Sequence, residues 1–290
     1  MSISRKEFLR TGGALTLAGL VANSAFASVF EEEKKKLKNF GLQMYSVRED
    51  YPKDPKGVLK QVADMGYTQV EGFEGDKGLF WGMSNTEFKS YTNSIGLTMI
   101  SSHCDTTKDF EKKAEQAGAI GMKYLIFRGK VAGKKIDDYK KYAEEFNKKG
   151  EICKQHGLRF AFHNHNFSFT PINGQFPQDV LITNTDASLV DYEMDIYWVV
   201  AAGQDPEAWF KKYPGRFTAC HVKDRSKKPV KDEGSNSCNL GEGSIDFAKI
   251  LKAGKKYGLK YHIVEQEAYP NGTPLEAAGV DAQYMKKLKI

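Results

Sequence analysis

The stretch Tyr257-Gly-Leu-Lys-Tyr-His-Ile-Val-Glu265 contains the pattern that decides the fold. A helical segment ends at Gly258, and an apolar, β-rich run begins directly after it. Glycine suits the left-handed residue just past a helix, and a short apolar run is typical of a buried parallel strand. The run ends in a carboxylate, Glu265, which a core strand has little reason to carry unless something binds it there.

The same order of helix, glycine and strand recurs along the chain. It is present at 65–71, 95–100, 117–127 and 156–162. With a first strand near 40–47 and strands around Asp195 and His221, eight strands alternate with helices such as 54–65, 85–95 and 137–155. Eight such units in one domain predict an α/β fold, a single (β/α)8 TIM barrel over residues 40–290. No Gly-x-Gly-x-x-Gly motif opens a helix, which argues against a dinucleotide-binding sheet.

Residues 1–27 have the composition of a signal peptide. Residues 4–10 form a basic region, and residues 11–26 form a short segment of mostly small or apolar residues. Ala25-Phe-Ala27 is a small-x-small cleavage site. The basic part is similar to a twin-arginine export signal with Lys6 in place of the second arginine. The sequence therefore predicts an exported, periplasmic protein with residues 28–39 as a linker. No later apolar run is long enough to predict a membrane anchor.

Charge and cysteine content exclude further classes of function. The formal net charge is +6, but the basic residues are scattered and form no stripe, so we expect no nucleic-acid partner. The spacing of the four cysteines matches neither a Cys-x-x-Cys motif nor a disulfide scaffold, which favours buried free thiols. Homo-oligomerisation is left open.

Four strand-like segments in the second half of the chain carry histidine or acidic residues at or near their C-terminal ends. They are 159–166, 190–198, 218–224 and 261–267. Imidazole and carboxylate ligands on successive strand ends suit one divalent ion above a barrel mouth. The predicted ligands are His163 or His165, Asp195, His221 and Glu265. Alternation along the strands leaves both His163 and His165 open and turns His262 outward.

The same alternation brings more polar and aromatic side chains to the barrel mouth. The predicted substrate-binding residues are Tyr45, Glu71, His103, Trp198 and Lys223. Such a mixture suits a sugar, which offers hydroxyls to polar groups and a C–H face to rings. Lys223 is also predicted to donate to a developing oxyanion or a departing oxygen, with a structural ion pair to Asp224, Glu193 or Glu267 as the alternative. The long segment 225–243 follows the seventh strand and is either a cover for the substrate or a surface loop.

At these residues the chain resembles the xylose isomerase-like barrel superfamily, in its branch of sugar phosphate isomerases and epimerases. The motifs that carry the resemblance lie at 41–48, 66–71, 163–167, 195–198, 221–224, 241–247 and 264–266. The resemblance implies one divalent ion, most often manganese, with zinc, magnesium and cobalt as alternatives. It implies Asp195, His221 and Glu265 as three ligands. The first ligand, commonly a glutamate in the epimerases, is matched here by His163, with His165 as the alternative.

The resemblance implies a metal-dependent sugar isomerase or epimerase that acts through an enediolate, with Glu265 as base. His165 and Lys223 are predicted as further catalytic residues from their inward positions at the strand ends. Export favours a small, non-phosphorylated carbohydrate as the substrate. A lyase is the close alternative, because relatives with the His-x-His strand include inosose dehydratases and enzymes that eliminate the aglycone of 3-keto-glycosides. A non-catalytic periplasmic sugar-binding protein is the second alternative.

Overall fold

The computed structural model describes residues 36–129 and 135–290, and within them eight parallel strands form a closed barrel. The predicted leader, 1–27, and most of the predicted linker lie outside the described residues. The barrel strands are β1 (Gly41–Gln43), β2 (Gln69–Phe73), β3 (Thr98–Cys104), β4 (Tyr124–Phe127), β5 (Arg159–His163), β6 (Val190–Asp195), β7 (Phe217–Val222) and β10 (Tyr261–Val264). Around the barrel they are ordered β1-β10-β7-β6-β5-β4-β3-β2. The predicted TIM barrel is confirmed.

Helices surround the barrel. They are α1 (Pro55–Met65), α2 (Asn85–Ser94), α3 (Phe110–Ala119), α4 (Ile136–Gln155), α5 (Pro177–Thr183), α6 (Ile196–Ala201), α7 (Pro206–Lys212), α8 (Phe247–Lys256) and α9 (Pro274–Lys287). In α1 the Asp54 carboxylate accepts the Gly57 N–H, and the helix ends at Gly66 with a φ of 99°. These are the start and stop signals that the sequence shows. None of the described helices combines the length and apolar character that a bilayer crossing requires.

A small apolar cluster fills the inside of the barrel below the site. The rings of Tyr124 on β4 and Tyr261 on β10 meet edge-on, with their centroids 5.8 Å apart. Because β4 and β10 lie on opposite sides of the barrel, this contact is possible only across its interior. Ile126 and Ala161 belong to the same cluster. Side chains two and four positions further along these strands therefore also point into the barrel.

The first strand is shorter than the sequence predicts. Strand β1 ends at Gln43, and Met44–Val47 form a single 3₁₀ turn. The Gln43 side chain accepts the Tyr45 N–H at 3.0 Å, which stabilises the turn in place of a continued strand. Tyr45 consequently lies on the rim of the mouth.

The segment after β7 is anchored to the barrel end. It contains the antiparallel pair β8 (Asp224–Arg225) and β9 (Ser237–Cys238). The Asp224 carboxylate accepts backbone N–H groups from residues 225, 241, 243 and 245. Ser237 Oγ accepts the Glu267 N–H at 3.0 Å, so the segment contacts the chain that follows β10. All four cysteines are buried free thiols, as expected.

Candidate functional site

The strand ends surround a cavity of about 160 Å³ at the carboxyl end of the barrel. Its lining residues are Tyr45, His103, Arg128, His163, His165, Trp198, Glu265 and Glu267. Most of them follow or end a strand. Active sites of TIM barrels lie at this face.

Three of the predicted metal ligands lie together. Asp195, His221 and Glu265 are buried, and each offers one ligand atom within 4.8 Å of the other two. His221 Nδ1 lies 3.2 Å from Glu265 Oε2 and 3.9 Å from Asp195 Oδ2. Strand register explains this meeting, since Asp195 and His221 are direct neighbours on β6 and β7.

The fourth predicted ligand lies beside this group and also belongs to a second one. His163 Nε2 is 3.9 Å from Asp195 Oδ2, whereas His163 Nδ1 is 3.1 Å from Glu193 Oε2. The second group consists of His103, His163, Glu193 and His221. The four predicted ligands therefore do not form one group within 4.8 Å, and His221 links the two sets. His165, the alternative first ligand, is in neither group.

An outer layer of carboxylates orients the histidines. Glu71 accepts a hydrogen bond from His221 Nε2 at 2.7 Å and others from Gln43 and Ser101. Glu193 contacts His163 Nδ1 in the same way. In both histidines the nitrogen that points away from Asp195 faces a carboxylate, and the other nitrogen faces Asp195. This is the arrangement by which proteins orient metal-binding imidazoles.

The carboxylates differ in protonation. Burial would raise the pKa of Glu71, but the charges of His103 and His221 outweigh it and hold the pKa well below its usual range. Burial, reinforced by the negative charge of Glu71, raises the pKa of Glu193 to about 7. Burial also raises the pKa of Asp195 to about 7, although Lys223 and His221 oppose it. Burial therefore outweighs the charges of His103 and His221 beside Glu193, and those of Lys223 and His221 beside Asp195.

The residues fit a divalent ion. Asp195 Oδ1 accepts the Trp198 N–H at 3.2 Å, while Asp195 Oδ2 is buried and makes no hydrogen bond among the described residues. Lys223 Nζ and one nitrogen each of His163 and His221 lie 3.9 Å from Oδ2, too far for a hydrogen bond. A buried carboxylate oxygen without a hydrogen bond is costly, and a divalent ion held between Oδ2 and the imidazoles would supply the missing contact. Two imidazoles and two carboxylates would supply the nitrogen and oxygen donors that zinc or manganese accept.

Lys223 lies beneath the cavity wall. It is 1% exposed, and its Nζ is 3.3 Å from Glu265 Oε2 and forms a closer hydrogen bond to Glu267. The ammonium also lies 5.0 Å from the ring centroid of Tyr197 and 5.2 Å from that of Trp198. The ion pair with Glu267 that the sequence offers as an alternative is present, and the two carboxylates take two of the three donors of the ammonium. The predicted donation from Lys223 to a substrate oxygen stays a prediction.

Two rings form the wall on the β5–β6 side. The rings of His165 and Trp198 have centroids 5.5 Å apart, and Phe167 stacks on His165 at 5.9 Å. His165 Nδ1 is buried without a hydrogen-bond partner among the described residues. Burial, followed by the charge of Lys223, lowers the pKa of His165 to about 4, so the ring is neutral at neutral pH. It can therefore act as both donor and acceptor.

The other predicted substrate residues separate into two sets. Tyr45, His103 and Trp198 line the cavity, whereas Glu71 is fully buried and lies beneath His221. Arg128 and Glu267 line the cavity, although the sequence prediction omits them from the site. Both could have been found, since Arg128 follows β4 in the inward alternation of Tyr124 and Ile126, and Glu267 shares the side of Glu265.

Comparisons with known proteins agree with this geometry. Residues 59–288 match the family described as xylose isomerase-like TIM barrel. Inosose dehydratase of Clostridium perfringens is 25% identical over 287 residues, which cover 90% of each chain. A similar protein from Lacticaseibacillus casei, also an inosose dehydratase, is 23% identical over 285 residues and covers 88% of each chain.

Solved structures share the fold. A sugar phosphate isomerase/epimerase from Parabacteroides distasonis is 28% identical with a TM-score of 0.73, covering 86% of this chain and 97% of that one. The IolI protein, crystallised with a bound zinc atom, is 17% identical with a TM-score of 0.68 and covers 84% and 95%. At that identity the second likeness concerns the fold alone.

Proposed function

The chain belongs to the xylose isomerase-like TIM barrel family, and we propose that it is a divalent-metal-dependent lyase acting on a keto-carbohydrate. It would remove a proton beside a ketone and expel the oxygen substituent on the next carbon. The proposal reverses the order of the two leading functions that the sequence predicts. Elimination needs one base, whereas two-base epimerisation needs a second one on the opposite face of the substrate.

One observation carries this choice. The position where the epimerases commonly have a second glutamate is occupied by His163. Its Nδ1 faces Glu193 and its Nε2 faces Asp195. Burial and the neighbouring histidines hold the pKa of His163 well below its usual range. His163 Nδ1 is therefore taken up by Glu193, and the lowered pKa makes the ring a poor proton acceptor.

Glu265 is the proposed base. Burial would raise its pKa, but the charges of His221 and Lys223 outweigh burial and keep the pKa well below the usual range. The group is thus ionised at neutral pH and lines the cavity. A carboxylate of such low basicity needs an acidified C–H group, which explains why a cation is required.

The proposed ion ligands are His163, Asp195, His221 and Glu265. A divalent ion held by these residues would polarise the substrate carbonyl and acidify the neighbouring C–H group. The nitrogen and oxygen donors suit zinc as well as manganese, and manganese remains the ion that the sequence resemblance favours. Lys223 would hold the Glu265 carboxylate in place and keep it ionised.

His165 is the proposed partner of the leaving group. As the α C–H bond breaks and its proton passes to Glu265, the electron pair becomes the new C=C bond and the β C–O bond breaks. The departing oxygen then takes up a proton. The neutral ring of His165 lies on the cavity wall and is able to relay it.

The relatives named inosose dehydratase support a keto-cyclitol or a 3-keto-glycoside as the substrate class. The proposed export of the chain favours a non-phosphorylated carbohydrate. Trp198 and Tyr45 on the cavity wall would contact the C–H face and the hydroxyls of such a ring.

Isomerisation or epimerisation is the second candidate, and His165 is the observation that favours it. His165 follows β5, whereas Glu265 follows β10, three strands away around the barrel. The Nδ1 of this imidazole makes no hydrogen bond among the described residues and could serve as the second base, a weak one because burial lowers the pKa of His165 to about 4.

The test is incubation of the zinc- or manganese-loaded protein with an inosose and with a 3-keto-glucoside in D₂O, followed by NMR. We expect an unsaturated ketone and a released water or aglycone. A deuterated epimer or isomer without loss of the substituent would instead assign the second candidate. Binding of these sugars without any exchange of the α-hydrogen would indicate a non-catalytic binding protein and overturn both.

A further inference from the structure

The charged side chains that line the cavity are unequally paired. Glu265 and Glu267 share the buried ammonium of Lys223. Arg128 is the exception, because no hydrogen bond or ion pair of its guanidinium is seen within 36–129 and 135–290. The planar guanidinium of Arg128 is therefore free to bind a ligand, whereas the two acidic residues that line the cavity are already paired with Lys223.

The barrel places Arg128 opposite the proposed base, Glu265. In the closed order of strands, β4 lies four positions from β10 in either direction. Arg128 follows β4 directly, and Glu265 follows β10 directly. Tyr124 and Ile126, four and two residues before Arg128, point into the barrel, so Arg128 shares their direction. A ligand at Glu265 that spans the mouth therefore ends near Arg128.

We infer that Arg128 forms a subsite for an anionic group on the substrate, on the side of the sugar remote from the reacting carbonyl. This rests on the proposed function for the position of the carbonyl. A guanidinium binds carboxylate and phosphate oxygens in a two-pronged manner, so both anions share the required chemistry. A carboxylate fits better with a single arginine, and the substrate class becomes a keto-sugar acid or a glycoside of one.

The inference explains the asymmetry of the cavity. Arg128 is exposed at the mouth, so with a neutral sugar its charge would be solvated by water alone, whereas Glu267 on the opposite wall already has Lys223. Electrostatic attraction between an anion and Arg128 would also fix which end of the ring enters next to Glu265. Orientation of this kind decides which C–H bond is presented to the base.

The experiment measures binding and does not depend on turnover. Glucose, glucuronate and glucose 6-phosphate are titrated into the zinc-loaded full chain, and into the Arg128→Gln and Arg128→Lys variants. We expect glucuronate to bind at least tenfold more tightly than glucose to the unchanged protein. Arg128→Gln should abolish this preference, and Arg128→Lys should keep part of it, because it retains charge but not the planar fork.

Lys108→Gln is the matched control. Lys108 is exposed, follows β3 at the same end of the barrel and is not among the cavity-lining residues. It should leave the preference unchanged, and added salt should reduce the preference of the unchanged protein. If the unchanged protein bound glucose 6-phosphate more tightly than glucuronate, and Arg128→Gln lost that difference in affinity, the anion would be a phosphate.

Equal affinities for glucose and both anions would overturn the inference, as would an anion preference that survives in Arg128→Gln. The two proposals fail separately. An Arg128-dependent preference without any elimination would keep the anion subsite and remove the proposed reaction. Elimination by a protein that binds all three sugars equally would do the reverse.

Discussion

At the scale of single residues, the site depends on how two imidazole rings divide their nitrogens. His221 contacts Glu71 through Nε2 and faces Asp195 and Glu265 through Nδ1. His163 uses the opposite nitrogens, with Nδ1 toward Glu193 and Nε2 toward Asp195. Against the effect of burial, the neighbouring carboxylates raise the pKa of His221, so an ion that binds its Nδ1 must displace the proton there. A carboxylate on the other nitrogen of each ring keeps the proton on that side and so fixes the tautomer that binds the ion. The tautomers are thus set by the outer layer.

We predict that Glu71→Gln weakens zinc binding by roughly 10- to 100-fold, because the amide cannot hold the His221 ring as the carboxylate does. Isothermal titration with zinc measures the change. The barrel should still fold, since Gln is nearly the same size as Glu and Gln43 and Ser101 remain as partners.

Glu87→Gln is the control, because Glu87 is an exposed partner of Lys56 on the outside of the barrel. Its zinc affinity should equal that of the unchanged protein. If Glu71→Gln and Glu87→Gln bound zinc equally well, Glu71 would have no part in orienting His221.

A second prediction concerns the proposed base. Glu265→Gln should lower kcat for elimination by roughly 10²- to 10⁴-fold, since the amide offers one oxygen to an ion but cannot accept the proton. Metal content, measured on the same samples, should fall much less than kcat. A variant that keeps near-normal kcat would show that another group takes the proton, with His165 as the first candidate.

At the scale of elements, the loop between β7 and α8 is held from two sides by carboxylates. Asp224 accepts four of its backbone N–H groups, and Asp281 on α9 accepts the Leu240 N–H at 2.7 Å. Asp281 is 1% exposed, and its Oδ2 has no partner among the described residues. Burial raises the pKa of Asp281 to about 7. This contact therefore changes charge near neutral pH.

We predict that Asp281→Asn stabilises the protein at pH 8. The folded chain releases the Asp281 proton near pH 7, whereas the unfolded chain releases it near about pH 4. The folded state therefore binds more protons between these values, and this group lowers the free energy of unfolding as pH rises through that window. Asparagine can still accept the Leu240 N–H and is never ionised.

The measurement is the Tm of both proteins at several pH values. Asp281→Asn should melt several degrees above the unchanged protein at pH 8, and the difference should shrink as pH falls below about 6. A difference that is constant with pH, or larger at low pH, would contradict a buried carboxyl with a raised pKa.

At the scale of the whole molecule, the sequence predicts the barrel and the inner ligands better than the layer around them. Gly66 and Gly258 mark helix ends with positive φ, and each precedes a strand, so the eightfold alternation is visible in the chain. Asp195, His221 and Glu265 are visible because each breaks an apolar strand. Glu71 also interrupts an apolar strand and was predicted to line the cavity. The alternation of side chains along a strand shows that Glu71 points into the barrel, but it does not show whether Glu71 reaches the cavity or lies in the layer beneath it. That distinction depends on the depth of each strand in the barrel, which is a tertiary property.

Arg128 and the end of β1 show the other limit. The alternation along β4 indicates that Arg128 points inward, but only the closed strand order places it opposite Glu265. Tyr45 was expected on a strand, yet the Gln43 side chain turns the chain at that point. A local hydrogen bond from a side chain to the backbone competes with strand formation, and the spacing of apolar residues in the sequence does not predict such a bond.

The concentration of buried acids gives the whole molecule a stability that depends on metal. Four acidic residues of the site are at most 6% exposed: Glu71, Glu193, Asp195 and Glu265. Lys223 is the one lysine buried beside them. A divalent ion that binds only the folded chain adds RT ln(1 + [L]/Kd) to the free energy of unfolding, about 2.7 kcal/mol at 100 times Kd. We therefore predict that zinc at this level raises Tm by roughly 5 °C or more over protein treated with EDTA.

Two variants show whether the effect arises at the proposed centre. Asp195→Ala removes a ligand and should lose the zinc-dependent rise in Tm. His262→Ala should keep it, because His262 pairs in register with Cys220 and points away from the cavity, on the side opposite to Ile263 and His221. A zinc-dependent rise in Tm that persists in Asp195→Ala, or one that disappears in both variants, would place the ion elsewhere. Only an ion bound at the ends of β6, β7 and β10 would be lost with Asp195 and kept without His262.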